Sequence, residues 1–275
     1  MNSSAQRTRS VWMTELPAEA PAITEDIDAD VVVVGAGLGG MTAAYLLSRE
    51  GRYVAVLDAG PPGGGMTGRT TAHLASALDD RWKHLISIRG EDDAKIAADA
   101  HAAAIDLIEE IQEREGIACD FARVDGYLVP ASEQDRPELS EELAAAHRAG
   151  LAGVTLGTDG LRFPRQGRFH PLKYLAGLQA CIERNGGRFF TAQVTAVEEE
   201  GTVVRVKTAA GPVARGHDAV VATNTPINDR VAIHTKMAPY RSYVVAGRVP
   251  RGSVADRLVW DTGWPYHYVR LQPMG

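Results

Sequence analysis

The sequence predicts a mixed α/β fold, in which a parallel sheet with flanking helices is interrupted by a second region of helices and strands. Three observations lead to this prediction. Four valines at 31–34 precede a glycine-rich turn and an apolar helical pattern. Helical periodicity over 91–115 then breaks the alternation of strand and helix. A helix followed by strands resumes that alternation between 170 and 226.

Residues 1–25 mix small, polar and acidic side chains without periodicity, which predicts an extended N-terminal leader, with Trp12 as its one apolar anchor. The uncharged run 31–47 is too short for a membrane span, which needs about 20 apolar residues. Four glycines also interrupt the run, and each disfavours a helix. Acidic residues precede it and no basic region adjoins it, which excludes a signal peptide. We therefore expect no transmembrane segment.

Charge and cysteine content narrow the function classes. The chain has 29 basic and 35 acidic residues, a formal net charge of -6, and no basic cluster, so we expect no nucleic-acid partner. Cys119 and Cys181 stand far apart and outside any CxxC spacing, which is typical of buried thiols in a reducing cytoplasm. No two histidines lie at ligand spacing beside paired carboxylates, so no metal site is predicted.

The stretch from 31 to 58 has the pattern of a complete βαβ unit. It contains a strand at 31–34, a glycine turn, a helix at 41–50 and a second strand at 53–57. Gly35 permits the tight turn, Gly37 lets a pyrophosphate approach the backbone, and Gly40 lets the helix pack on the strand. Asp58 stands at the distance of an acid that binds an adenosine ribose. The unit predicts a Rossmann-like domain and an ADP-containing cofactor.

The choice between NAD and FAD depends on the segment after the second strand. A nicotinamide domain continues with further βα units, whereas this chain continues with the loop "AGPPGGGMTGRTTAHLAS" and a long helix at 91–115. A hairpin-like piece near 126–129 and a helix near 138–149 come next. A later helix, a strand pair around a turn at 200–201 and the buried strand "DAVV" then form a crossover unit. This order predicts an FAD-binding domain interrupted by a substrate domain.

We predict the FAD-binding domain at about 26–90 and 165–226, and an incomplete substrate domain at 91–164 and 227–275. The motifs "GMTGRTTAHLAS", "GYLVP", "FHPLKYL", "DAVVATNTP", "PYRSYVV" and "PYHYVRLQP" accompany the fingerprint. Together they resemble FAD-dependent oxidoreductases of the D-amino-acid oxidase type. The resemblance is to the bacterial branch related to glycine, sarcosine and glutamylputrescine oxidases, some of which carry a C-terminal Rieske domain.

The resemblance implies oxidation of an amine or amino acid by hydride transfer to flavin N5, followed by hydrolysis of the imine. It also implies that oxygen or an electron-transfer partner accepts the electrons. A set of residues would border FAD: Gly35, Gly37, Leu38 and Gly40 at the pyrophosphate, Asp58 and Ala59 at the ribose, Thr67, Arg69, Thr70 and Thr71 near the inner phosphates and ring, Val194 at adenine, and Ala222 and Thr223 beside the cofactor. Arg69 as a plain surface charge and the threonines as turn formers are the alternatives.

In "WPYHYVRLQP" a strand period of two places Tyr266, Tyr268 and Arg270 on one face. An arginine beside tyrosines is suited to clamp a substrate carboxylate, because its fork makes two parallel charge-assisted hydrogen bonds. An edge-strand arginine paired with a surface acid is the alternative. The family needs a further strand and helix beyond this point, so the chain resembles the N-terminal part of a longer protein, and it contains no Rieske CxH…CxxH arrangement.

Three other interpretations stay open at this point. A nicotinamide dehydrogenase shares the first βαβ unit but predicts NAD binding and a colourless protein. A non-catalytic binding module on the same fold, as in the Rab escort group, predicts no flavin. The third is an inactive N-terminal fragment of a flavoenzyme.

Overall fold

The computed structural model describes residues 9–14, 17–227 and 242–273, so the first three residues of the motif "PYRSYVV" lie outside the described residues. The chain divides into two compact units, one of residues 1–70 with 171–246 and one of residues 71–170 with 247–275. These limits differ from the predicted ones in four segments. Residues 1–25 and 227–246 belong to the first unit, and residues 71–90 and 165–170 belong to the second. The roles of the units as cofactor and substrate domains stay predictions.

Among its described residues, the first unit contains two sheets and two α-helices. Its strands are β1 (Ile27–Asp28), β2 (Val31–Val34), β3 (Val54–Asp58), β8 (Arg188–Thr191), β9 (Val194–Glu200), β10 (Val203–Thr208), β11 (Val213–Gly216) and β12 (Asp218–Val221), and its helices are α1 (Leu38–Arg49) and α5 (Pro171–Arg184).

A four-stranded parallel sheet carries the predicted βαβ unit. Its order is β12-β2-β3-β8, and every neighbouring pair is parallel. Every residue of β2 is buried, which explains its four consecutive β-branched valines. Because β2, β3 and β12 run in the same direction, their carboxyl ends lie at one edge of the sheet, where ligands of open α/β sheets bind.

The second sheet of this unit has the order β1-β11-β10-β9, in which β1 and β11 are parallel and the other pairs are antiparallel. It contains the predicted strand pair on either side of Gly201, which has φ +65°. Part of the leader is extended against the other sheet: the Thr191 amide donates to the Pro21 carbonyl at 2.7 Å, and Ile23 is buried. The apolar side chain of Trp12 is buried as well.

In the part of the second unit that the structure describes, there are one sheet and three α-helices. Its strands are β4 (His73–Leu74), β5 (Ala122–Val129), β6 (Thr155–Gly157), β7 (Gly160–Arg168), β13 (Leu258–Asp261) and β14 (Tyr268–Val269), and its helices are α2 (Trp82–Arg89), α3 (Glu91–Glu115) and α4 (Arg136–Arg148).

The sheet of the second unit has the order β14-β13-β5-β7-β4, and β6 also pairs with β7. Only β5 and β13 form a parallel pair among the described strands of this sheet. Its core is a cluster in which Trp82, Leu128, Leu139, Phe163 and Trp260 are buried. The sheet is therefore mixed in strand direction, and the unit contains both helices and strands.

The long helix α3 has the predicted bounds. Its first turn carries three acidic residues, and Gly116 ends it in the left-handed conformation with φ +65°, which glycine adopts without a Cβ penalty. Ala94, Ala98 and Ile111 face the interior, whereas Ile96 is 69% exposed. Across the part of the chain that is described, no helix is both long and apolar enough to cross a bilayer.

Two predicted elements need correction. Helix α1 begins at Leu38 and not at residue 41, because the turn continues directly into the first helical turn and Gly39 and Gly40 are already helical. Strand β12 was predicted to be buried, but it lies at the edge of the parallel sheet, with its first and last residues exposed.

Candidate functional site

The glycine turn after β2 is closed so tightly that two of its glycines have no room for a side chain. Gly35 has φ +108°, and a Cβ added there would lie 2.6 Å from the Ala222 carbonyl oxygen. A Cβ on Gly40 would overlap the carbonyl oxygen of Gly35. Conformation and packing within the protein therefore require glycine at both positions.

Gly37 differs from these two glycines. It has φ -83° and ψ -176°, an extended conformation that any residue adopts, at the N-cap of α1. An added Cβ would meet only the Thr67 hydroxyl oxygen, at 3.3 Å. Backbone strain does not demand glycine here, and a Cβ would require only the Thr67 side chain to shift slightly. The close approach of a ligand stays the predicted reason for this glycine. The first turn of α1 carries no acidic residue, so its amide dipoles favour an anion at this place.

Asp58 ends β3 beside this turn. Its Oδ2 accepts a hydrogen bond from the Ala36 amide at 2.7 Å, and its Oδ1 accepts one from the Gly60 amide at 2.9 Å. Each carboxylate oxygen has a second lone pair, so these bonds orient the group and leave acceptors for ribose hydroxyls. Ala59, the next residue, is exposed.

The loop after β3 folds back onto the start of α1. The Thr67 hydroxyl, predicted near the inner phosphates and the ring, accepts a hydrogen bond from the Leu38 amide at 3.1 Å, and this bond leaves its own proton to donate. Arg69 Nη1 donates to the carbonyls of Gly64 and Gly65, at 2.7 and 3.1 Å. Arg69 therefore stabilises the loop, and the alternative of a plain surface charge does not account for these bonds.

The other residues predicted near FAD occupy several places. Ala222 lies just after β12, and its amide donates to the Val34 carbonyl at 2.8 Å, which brings it against the glycine turn. The Thr223 hydroxyl donates to the Thr225 carbonyl at 2.8 Å. Val194 is buried at the start of β9, opposite Thr208.

The two remaining threonines fall on either side of the division between the units. Thr70 belongs to the first unit, and its carbonyl accepts a hydrogen bond from the Trp12 indole at 2.7 Å. Thr71 belongs to the second unit. Trp12 thus anchors the end of the predicted flavin loop. From the sequence, Trp12 could be predicted as an apolar anchor of the leader, but its contact with this loop could not.

In the second unit, the predicted substrate residues lie in two different surroundings. Tyr266 and Tyr268 form an edge-to-face pair with ring centroids 5.1 Å apart, so the predicted alternation does bring them together. His267, between them, contacts Asp261 through Nδ1 at 2.8 Å. The strand itself is shorter than expected, because β14 covers Tyr268–Val269 and Arg270 lies beyond it.

Arg270 is partly buried and directs its guanidinium at backbone carbonyls. Nη1 donates to Thr71 and Ala72 at 3.0 and 2.7 Å, and Nη2 lies 3.4 Å from the Phe169 oxygen and 2.6 Å from Gln272 Oε1. Burial, with Arg168 nearby, lowers its pKa to about 10. The carboxylate clamp stays a prediction, and these bonds weigh against it.

One residue of this region was not singled out from the sequence. His73 lies in β4, its ring meets the Tyr268 ring at a centroid distance of 5.3 Å, and both ring nitrogens are buried without a hydrogen-bond partner among the described residues. Burial, with the charge of Arg270, lowers the pKa of His73 to about 4, so the ring is neutral at physiological pH. The only indication in the sequence that His73 could be a site residue was its position in the motif "GMTGRTTAHLAS". The motif does not show that the side chain is buried.

The turn at Gly35–Gly40 has the open backbone, the helix N-terminus and the adjacent carboxylate that an ADP group needs, so its residues fit a dinucleotide. Within residues 9–14, 17–227 and 242–273, no three His, Cys, Asp or Glu side chains gather as a metal site would require. The nucleotide part of an organic cofactor is the group that this turn is suited to hold.

Comparison with known proteins identifies that group. Residues 30–275 match the model of the family described as FAD dependent oxidoreductase. The chain is 30% identical to the probable oxidoreductase OrdL of Haemophilus influenzae, over 87% of this chain and 60% of that protein. It is 27% identical to the gamma-glutamylputrescine oxidoreductase of Escherichia coli, over 82% of this chain and 56% of that protein.

The fold resembles that of L-proline dehydrogenase from P. horikoshii, with a TM-score of 0.65, 15% sequence identity, and coverage of 91% of this chain and 68% of that chain. The predicted mixed α/β fold is thus confirmed. The chain spans little more than half the length of the two curated relatives. It belongs to the D-amino-acid oxidase type of FAD-dependent oxidoreductases, and FAD is the cofactor of this family.

Proposed function

We propose that the protein oxidises an amine or amino acid at the carbon next to nitrogen, with FAD as electron acceptor. The observation that carries the proposal is the glycine turn, in which Gly37 has an extended backbone at a helix N-terminus and a Cβ there would meet only the Thr67 hydroxyl. The name of the relative called gamma-glutamylputrescine oxidoreductase supports an amine as donor.

When bound, FAD would supply a two-electron acceptor for the hydride of the C–H bond. The residues of the first unit would hold it: the backbone at Gly37 beside the pyrophosphate and Asp58 at the ribose. The substrate loses a hydride from carbon and a proton from nitrogen, which leaves an imine. Water then converts the imine into a carbonyl compound and an amine or ammonia, so atoms and electrons balance.

In this chemistry the protein positions the C–H bond and excludes side reactions, while the cofactor accepts the electrons. No acid–base triad is needed for the hydride step. We propose that the second unit supplies the substrate-binding residues and that oxygen or a redox partner reoxidises the flavin.

The test is to purify the protein, record its visible spectrum and identify the cofactor released on denaturation. We expect the two absorption bands of flavin and release of FAD. Anaerobic addition of an amine or amino acid should then bleach the longer-wavelength band. Release of NAD without flavin would support the nicotinamide dehydrogenase instead, and bound FAD that no donor bleaches would support a binding module.

A further inference from the structure

The second unit contains a row of aromatic side chains at its surface. Trp264, Tyr266 and Tyr268, which we call the aromatic row, have successive centroid distances of 6.1 and 5.1 Å. Trp264 is 82% exposed and Tyr266 is 39% exposed. Large aromatic side chains at such exposure indicate a place where a ligand or partner binds.

The groups predicted to bind a carboxylate already have protein acceptors. The guanidinium of Arg270 donates to carbonyl oxygens and to Gln272. The other arginine of this region, Arg168, forms a two-point ion pair with Asp256, at 2.8 and 2.7 Å. An anionic substrate would have to break one of these sets of bonds, which costs free energy because the arginines are largely buried.

The hydroxyl of Tyr268 also has a hydrogen-bond partner within the protein. It donates to Asp79 Oδ1 at 2.7 Å, and burial with the neighbouring carboxylate raises the pKa of Tyr268 further above its ordinary value. The phenol therefore keeps its proton and donates it to Asp79 in this hydrogen bond. A substrate carboxylate would face Asp79, a group of its own charge.

The aromatic row has the geometry of a cation site. The interplanar angles between successive rings are 64° and 78°, so neighbouring rings are steeply inclined to one another. The negative faces of Trp and Tyr attract an ammonium group within about 6 Å of the ring centre. Asp79 adds a negative charge at the Tyr268 end. Two arginines lie near this end: Arg81 donates to the backbone carbonyls of Asp79 and Asp261, and Arg270 donates to those of Thr71 and Ala72.

We propose that the aromatic row, with Asp79 beside it, binds the alkylammonium group of the substrate, so that the substrate class is an alkylamine without a carboxylate on the reacting carbon. This inference rests on the proposed function and narrows it. His73 lies at the buried end of the row, and its two ring nitrogens, which have no partner among the described residues, offer a neutral contact to a polar group of the same ligand.

Binding is tested on the full chain with two small probes of equal length, n-butylammonium chloride and sodium butyrate, by isothermal titration and by the fluorescence of exposed Trp264. We expect the ammonium to bind and the butyrate not to bind. Tyr266→Leu should weaken ammonium binding about tenfold, and Asp79→Asn, which keeps an acceptor for Tyr268, should weaken it several-fold. The matched control is Tyr243→Leu, since Tyr243 is 90% exposed and outside the row.

The inference is overturned if butyrate binds as well as the ammonium, or if Tyr266→Leu behaves like Tyr243→Leu. A flavin assay with n-butylamine and 2-aminopentanoic acid, which differ by one carboxylate on the carbon that would react, separates this result from the proposed function. Flavin reduction by the amino acid at least as fast as by the amine would contradict the inference and leave the function standing. Ammonium binding without flavin reduction by either compound would contradict the function and leave the site standing.

Discussion

Three neighbouring glycines allow a sharp test of the nucleotide site, because the structure gives each a different environment. A Cβ at Gly40 overlaps a backbone oxygen, a Cβ at Gly37 meets only the Thr67 hydroxyl at 3.3 Å, and a Cβ at Gly39 meets nothing within 4 Å. The three alanine variants should therefore separate folding from cofactor binding. Gly40→Ala should fail to fold stably, since backbone must move to admit the methyl group.

Gly37→Ala should fold and lose FAD. Its extended conformation suits alanine, so the loss of stability should be that of a poorer N-cap, about 1 kcal/mol or less. The methyl group would displace the pyrophosphate from the backbone. If two hydrogen bonds to the charged phosphates are lost at about 1.5 to 3 kcal/mol each, affinity falls by at least about 100-fold.

Gly39→Ala is the control. It adds the same methyl group two residues away, inside the first turn of α1, where alanine favours the helix by up to about 1 kcal/mol. We expect normal FAD content and equal or higher stability. Urea unfolding measures the stability of each variant, and titration of the apoprotein with FAD measures affinity. If Gly37→Ala binds FAD normally, or if Gly39→Ala loses it to the same degree, the assignment of Gly37 to close ligand approach is incorrect.

Three further predictions concern buried charged and polar groups. Glu142 is 2% exposed and accepts two amide hydrogen bonds at the start of α2, so Glu142→Leu should cost about 1 to 3 kcal/mol in urea unfolding. Because burial raises the pKa of Glu142, the wild type should gain stability relative to Glu142→Gln as the pH falls from 7 to 4. A stability difference that does not change with pH would contradict this prediction. Burial lowers the pKa of His73 from 6.5 to about 4, so the unfolded chain takes up a proton that the folded protein does not. As the pH falls from 7 to 4, the free energy of unfolding of the wild type should therefore decrease by on the order of 3 kcal/mol relative to His73→Phe, measured by thermal unfolding. Asp256→Ala should cost about 3 kcal/mol because Arg168 stays buried, whereas Asp159→Ala, at a more exposed ion pair, should cost under about 1 kcal/mol; equal losses would contradict this reasoning.

Local rules predicted the elements that carry the nucleotide site. Four β-branched residues before a glycine turn form a buried strand, and the positions of Gly35 and Gly40 agree with the need for a tight turn and close packing. Helix α3 was equally predictable, because its acidic first turn and its final glycine are both near in sequence to the backbone groups they affect. These features depend on residues within a few positions of one another.

The partners of the site residues could not be predicted, since they are distant in sequence. Thr67 accepts the Leu38 amide across 29 residues, and Arg270 donates to Thr71 across 199. Periodicity places a side chain on a face of a strand but does not say which acceptor it meets there. Arg270 could therefore be predicted as a candidate binding group, but not as one already bound to carbonyls.

The sequence alone predicted the family, the α/β fold and the cofactor. The βαβ fingerprint is a contiguous stretch whose glycines and apolar residues determine its backbone conformation, and the segments after it distinguished FAD from NAD. The tertiary structure alone decided that a Cβ at Gly37 would meet only the Thr67 hydroxyl, that Tyr268 donates to Asp79, and that Arg270 donates to backbone carbonyls. Hydrogen-bond partners and free volume depend on which distant segments the folded sheets bring together, and burial then fixes the strength of each contact by removing competing water.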